Sequence, residues 1–343
     1  MKRLILLALL MLTLLLAGCT GPETAPEEGL PGYPSCAIDL TTDGQRVLLL
    51  RRGKTYPEWS RTFTVFDVTG GGMRRIVSGR DAVDFALLDG RLWVASRTLD
   101  WLKAMQVSAE LDAYDPVRGA SAVHVSARQD EGSEGRINPD FYGFHIAGER
   151  LIRQRNFAVD LTYRQEFAFA DNEGYVGEPF WQLPYTGVTV TDTFLAGAEY
   201  GGDVIDLFDL KRMEAHRLPV LWGQDQFDDP YLPQGVLLAG VLYYPAADGV
   251  RAYDLAAGQD DLFAASSATE YFYVTDGRLY TVADDGLLTA FDLRTGVACP
   301  TEVKLAKTDR YIVVGENAYI LQTPEQHGVR ETGCRVEALM TGE

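Results

Sequence analysis

The residues best equipped for chemistry in this chain are its histidines and cysteines, and both are few. His124, His145, His216 and His327 stand far apart, and none has a second histidine within the i+2 to i+4 range that metal pairs use. No Gly-x-Ser-x-Gly nucleophile turn, phosphate loop or dinucleotide fingerprint occurs. Cys36, Cys299 and Cys334 form no Cys-x-x-Cys and have no histidine nearby in sequence, so they read as structural. In an oxidising compartment one pair could bridge and leave one thiol over, with three pairings open. Linear spacing therefore yields no catalytic residue, cofactor cage or metal ligand set, and the reading leans away from an enzyme.

The remaining cysteine has a different setting. Lys2 and Arg3 precede an aliphatic run from Leu4 to Leu16, too short to span a bilayer and the right size for a signal-peptide core. Leu16-Ala17-Gly18-Cys19 resembles a bacterial lipobox, which implies cleavage before Cys19 and lipidation of its thiol. More than one acyl chain on that cysteine would give stable anchoring. Residues 20–35 are rich in Pro, Gly and Glu, cannot bury much apolar surface, and read as a flexible tether. The expected organisation is a signal peptide over 1–18, lipidated Cys19 and tether over 19–35, and a folded body over 36–343. The expected location is a bacterial cell envelope, with the body held at a membrane by lipid alone and facing the periplasm or exterior.

Charge narrows the partners. The chain has 31 Lys and Arg against 49 Asp and Glu, a net charge of −18, which becomes −20 once Lys2 and Arg3 leave with the signal. Such a surface repels phosphate backbones, so nucleic acid is excluded as a partner.

The body is organised by a repeat. An apolar-plus-Asp step returns as Phe66-Asp67, Tyr114-Asp115, Val159-Asp160, Phe208-Asp209, Tyr253-Asp254 and Phe291-Asp292, with the aspartates 48, 45, 49, 45 and 38 residues apart. A period in this range marks a stacked supersecondary unit. Tight turns precede each step, among them Asp43-Gly44, Asp89-Gly90, Ala239-Gly240 and Asp276-Gly277, between short β-rich runs. Each Asp ends a third strand, and its carboxylate is placed to accept backbone N–H groups two residues onward. A seventh unit over 308–343 has Glu331-Thr332-Gly333 at the expected place of the step. Seven four-stranded units predict an all-β, seven-bladed β-propeller, with six- and eight-bladed rings as alternatives.

Ala290-Phe291-Asp292-Leu293-Arg294-Thr295-Gly296 resembles the Ala-x-Asp-x-x-Thr-Gly core of PQQ-like propeller repeats, and Ala252–Gly258 and Ala113–Gly119 match more loosely. The chain as a whole is similar to propeller lipoproteins of bacterial envelopes, including scaffolds of the barrel-assembly type. It departs from the pattern where Pro300 replaces a tryptophan that docks blades, so other apolar packing must serve. The resemblance implies a non-enzymatic scaffold that binds a protein or peptide. The alternative is a metal-dependent hydrolase or lyase, with carboxylates collected from several blades around the central channel, an arrangement that leaves no linear motif.

Propeller connectivity sorts the loops by face. Short a–b and c–d turns share one face, while Arg51–Arg61, Arg97–Glu110, Ala127–Asp140, Asp171–Phe180 and Trp222–Gln234 are expected as long b–c and d–a loops on the other. That second face is the expected binding face, with Trp59, Trp101, Trp222, Phe227 and Tyr231 as anchors. Its carboxylates, Asp130, Glu131, Glu134, Glu173, Glu178, Asp225, Asp228 and Asp229, would suit a cationic partner or a calcium ion, although no ordered calcium-loop spacing is present.

Overall fold

The computed structural model describes residues 40–55, 60–100, 105–128, 141–159, 162–171, 176–184, 188–198, 203–219, 235–266, 271–322 and 333–339. They form an all-β, seven-bladed propeller with no helix among them. The first sheet holds β1 (Leu40–Thr42), β2 (Val47–Thr55), β3 (Ser60–Asp67) and β4 (Arg74–Arg80). In the second are β5 (Ala82–Leu88), β6 (Arg91–Asp100), β7 (Met105–Tyr114) and β8 (Ser121–Arg128). The third has β9 (Phe141–Ala147), β10 (Arg150–Val159), β11 (Thr162–Ala170) and β12 (Val176–Leu183). Next come β13 (Val188–Val190), β14 (Phe194–Ala198), β15 (Val204–Asp209) and β16 (Glu214–Pro219). The fifth comprises β17 (Val236–Leu238), β18 (Val241–Ala246), β19 (Gly249–Asp254) and β20 (Gln259–Ala265). The sixth comprises β21 (Phe272–Thr275), β22 (Arg278–Val282), β23 (Leu287–Asp292) and β24 (Ala298–Lys304). The seventh shows three strands among the described residues: β25 (Tyr311–Val314), β26 (Asn317–Gln322) and β27 (Gly333–Ala338). Every sheet is an antiparallel meander in chain order.

Both faces of each sheet are apolar, so each must be covered twice. Seven core clusters do this, one per junction. Leu48, Leu50, Phe63 and Val65 of the first sheet meet Phe85, Leu92 and Val94 of the second. Trp93, Ala95 and Leu111 then meet Phe144, Ile146 and Leu151 of the third. The pattern continues through Phe167 against Phe208, Ile205 against Tyr244, and Tyr243 against Phe272. At the sixth junction Val303, Leu305 and Tyr311 do the docking, while Pro300 is exposed on β24. The last cluster joins Leu40, Val47 and Leu49 to Ile312, Tyr319 and Leu321, and Tyr319 donates its hydroxyl proton to the Thr69 carbonyl at 2.8 Å. Two sheets some 250 residues apart in sequence are thereby locked together, and the ring closes.

Turn chemistry at one rim is uniform. Asp89-Gly90, Ala239-Gly240 and Asp276-Gly277 all have positive φ at both residues, as a type I′ hairpin needs. Asp115, Asp209, Asp254 and Asp292 each accept two backbone N–H bonds from the residues two and three positions on. In Asp115 and Asp254 the backbone donors hold the pKa below the ordinary carboxylate value, and in Asp292 the Thr295 side chain does so first, then its backbone. Each of these turns closes on a residue of positive φ: Gly119, Met213, Gly258 and Gly296.

Two members of the apparent period are not part of it. Asp160 lies outside the described residues, between β10 and β11, so Val159-Asp160 falls at a b–c connection. The third strand of that blade ends at Ala170, followed by Asp171. Glu331-Thr332-Gly333 likewise falls at the start of the third strand: Gly333 opens β27, and Glu331 and Thr332 lie outside the described residues. The position equivalent to the Asp step is Ala338, because Leu339 N–H donates to Glu316 O just as Leu293 does to Gly277 O and Leu255 to Gly240 O. The third blade therefore spans 141–183 and takes in Val176–Leu183, whose first part, 176–180, the sequence pattern assigns to a loop.

Asp209 is 3% exposed and its carboxylate holds the Lys211 and Arg212 amides at 2.8 and 2.9 Å. Asp209→Ala is expected to cost about 1–3 kcal/mol, read as a lower urea midpoint at unchanged slope.

Candidate functional site

Strand direction assigns every connection to a face. The a–b turns and the c–d turns lie at one end of the sheets, and they are short throughout. The b–c and d–a connections lie at the other end, and the chain at 129–140, 220–234 and 323–332 belongs there. Of the expected long loops, 127–140 and 222–234 fall at that end by connectivity, and nearly all of their residues lie outside the described ones. Asp171–Phe180 is the exception. It links β11 to β12 within one sheet, so Glu178, on β12, does not belong to the elaborated face, and Phe180 packs in the core against Phe169 and Phe208; Glu173 and Tyr175 lie outside the described residues.

The expected b–c loops at 51–61 and 97–110 are instead mostly strand. β2 and β3 stay paired out to Thr55↔Ser60, and β6 and β7 out to Asp100↔Met105. A third long hairpin, β10–β11, runs to Val159↔Thr162. The second strands β2, β6 and β10 have 9, 10 and 10 residues, whereas β14, β18, β22 and β26 have 5, 6, 5 and 6. At about 3.3 Å per residue, three adjacent hairpins extend on the order of 15 Å beyond the described ends of the second strands in the other four blades. Backbone pairing makes this crest a rigid feature where a loop was expected. The signal for it was the β-branched and aromatic content on both sides of each tip, which reads equally well as an aromatic loop.

The five expected anchors fall outside the described residues: Trp59 between β2 and β3, Trp101 between β6 and β7, and Trp222, Phe227 and Tyr231 between β16 and β17. Cys19 and Cys36 also lie outside them, as do His327 and the carboxylates Asp130, Glu131, Glu134, Asp225, Asp228 and Asp229.

The groups that could do chemistry are not gathered. His124 bonds Asp112 across β7–β8 at 2.7 Å, and His145 sits 2.6 Å from Gln154 on β9–β10. His216 is on β16, in another blade, with Nε2 buried and unbonded. No group of three or more His, Cys, Asp and Glu that could hold a metal occurs among the described residues. Near the axis, polar side chains cap inner-strand amides of neighbouring blades. Asp84 accepts from Ile146 N–H at 2.9 Å, Asp192 from Gly148 N–H at 3.0 Å, and Thr193 Oγ1 from Leu237 N–H at 2.9 Å. Their geometry serves docking of blade to blade. A depression of about 220 Å³ lined by Leu88, Glu149, Arg150, Leu151, Phe169 and Ala170 is smaller than the roughly 300–1,000 Å³ of ordinary small-molecule sites.

On the elaborated side, the ion pairs run between neighbouring strands. Arg251 bridges Asp248 at 2.7 Å and Asp260 at 3.1 Å, with Tyr244 donating to the same Asp260 oxygen at 2.8 Å. Glu166, largely buried, holds Arg153 at 3.7 Å and Arg155 at 3.4 Å.

No family model matches the sequence, and no curated protein matches it. Solved structures do resemble it. An oligogalacturonate lyase in complex with manganese is 12% identical over 87% of each chain, with a TM-score of 0.51. BamB from Moraxella catarrhalis is 13% identical over 87% of this chain and 85% of its own, at a TM-score of 0.42. Sqt1 from Saccharomyces cerevisiae is 10% identical over 88% and 95%, at 0.46. At these identities the likeness is one of fold. The class defined by the fold is a seven-bladed β-propeller with three long second-to-third-strand hairpins in adjacent blades.

Two outcomes follow from the titrating groups. Burial pushes the His145 imidazole below the ordinary histidine pKa, with Gln154 opposing in part. A histidine so shifted stabilises the fold above its unfolded pKa of about 6.5 and withdraws that stability as pH falls towards the folded value. His145→Gln should flatten the fall in melting temperature below about pH 6.5. Burial also drives the Cys334 thiol up to about 12, while Cys299 is exposed. In reduced protein, mass mapping after iodoacetamide at mild alkaline pH should find Cys299 modified and Cys334 spared.

Proposed function

We propose that this protein is a lipid-anchored, non-enzymatic propeller of the bacterial cell envelope that binds a protein or peptide through its elaborated face, as a scaffold of the barrel-assembly type. The observation that carries this reading is the set of three neighbouring hairpins whose strands stay paired out to Thr55↔Ser60, Asp100↔Met105 and Val159↔Thr162. A pre-paired ladder presents its surface without an ordering cost at binding, which favours recognition of a partner. Trp59 and Trp101, in the segments that join the strands of two of these hairpins, are the residues assigned as anchors, together with Trp222, Phe227 and Tyr231 of the segment between β16 and β17. The leader and Cys19 support anchoring by lipid, and the Pro- and Glu-rich 20–35 supports a tether between lipid and ring.

Purification of the intact protein from membranes tests the reading. A stoichiometric protein partner, lost on joint Trp59→Ala and Trp101→Ala substitution, is the expected result, together with release of a Cys19→Ser form into the soluble fraction. Recovery without any partner, or a partner indifferent to both tryptophans, would contradict it.

A further inference from the structure

We infer that Cys334 is joined by a disulfide to Cys36, which staples the chain entering the first blade to the last blade and leaves Cys299 as the free thiol. This pairing rests on the envelope location proposed above, whose oxidising surroundings keep such a bond. Two cysteines can be bridged only with Cα atoms about 4.4–6.8 Å apart and side chains turned towards each other. Cys299 and Cys334 do not meet that condition. Cys299 stands opposite Ala290, which is buried between the sixth and seventh sheets, so both point at the seventh. Cys334, half-buried on β27, points the other way: with Val336 it packs against the cluster that joins the seventh sheet to the first. The seventh sheet itself separates the two thiols.

Cys36 belongs on the side that Cys334 faces. It precedes Leu40 by four residues, a span of at most about 14 Å, and Leu40 is buried in the cluster against which Cys334 packs. Chain direction agrees. β1 is entered from the end where the b–c and d–a connections lie, and Cys334, second in β27, stands near that same end. Each of the other six sheets has a fourth strand outside its third, whereas β27 has none among the described residues, which leaves room beside Cys334 for the incoming chain. Cys299 lies on an outermost strand two sheets from Leu40, more than about 20 Å at ordinary sheet spacing, beyond the reach of four residues and a disulfide together. Burial pushes the Cys334 thiol up to about 12, so the exchange begins at Cys36. The Cys36 thiolate attacks a donor disulfide, such as oxidised glutathione, forming a mixed disulfide and releasing one donor thiolate. Cys334 then gives up its proton and displaces the second donor thiolate. Two protein thiols thus lose two protons and two electrons, and the donor is reduced to two thiols.

Peptide mass mapping of the intact protein isolated from membranes, alkylated under denaturing conditions before any reduction, tests the pairing. A cross-linked Cys36–Cys334 peptide with Cys299 alkylated is the expected result. Reduction with dithiothreitol and Cys36→Ser should lower the melting temperature by similar amounts, on the order of 5 °C or more, because the bond closes a long loop. Cys299→Ser should leave both the link and the melting temperature unchanged. A cross-link that includes Cys299 would overturn the assignment, as would Cys36 and Cys334 still open to alkylation after the reduced protein is equilibrated with oxidised glutathione. A link that forms with glutathione but is missing from protein isolated from cells would support the pairing and contradict the envelope location.

Discussion

The whole molecule depends on one constraint: each sheet is apolar on both faces, so none can stand at an end. A row of seven such sheets would leave two exposed flanks, and here those flanks would be Leu40, Val47 and Leu49 at one end and Ile312, Tyr319 and Leu321 at the other. Burying a side chain of this size is worth roughly 1.5–3 kcal/mol, so closing the ring recovers several such contributions at a single junction. Against that gain stands the entropy of joining distant chain segments, which grows only slowly with loop length. Closure therefore wins, and the right-handed twist of each sheet supplies the wedge shape that lets it happen.

With the ring closed, the two ends of the blades are under different demands. At the smooth rim the connections are bound by turn geometry: aspartates gripping the next backbone amides, and left-handed residues, mostly glycine, ending each turn. Met213 is informative because it takes the left-handed position that glycine fills at 119, 258 and 296. The surrounding hairpin imposes that conformation strongly enough to hold a residue with a side chain in it. Nothing comparable limits the opposite rim, and there the second and third strands of three adjacent blades run on. Variation in strand length at one rim changes the shape and charge of a face without disturbing any junction beneath it.

How much of this was readable beforehand follows from which interactions are local. The Asp turns and the Asp-Gly hairpins involve residues two to four apart, so Asp67, Asp115, Asp209, Asp254 and Asp292 mark their strands correctly from sequence. Val159-Asp160 has the same residue types but sits at the far end of its hairpin, because alternating apolar and polar residues cannot tell which end of a strand a turn closes. In the seventh blade Ala338 cannot make the aspartate's bonds, and the pattern slid to Glu331. The crest was hidden for a related reason. Arg, Lys and Thr around aromatic residues read as a solvated loop, and only cross-strand pairing shows them to be a ladder.

Hydrogen exchange in a Leu49→Ala variant bears most directly on ring closure. Leu49 is fully buried in the cluster shared by the first and last blades, and its truncation there should cost about 2–5 kcal/mol. If the ring is closed as described, amides of β25 and β26 should exchange faster along with those of β1 and β2, despite lying more than 200 residues away in the chain. Faster exchange confined to the first sheet, with β25 and β26 untouched, would contradict the account.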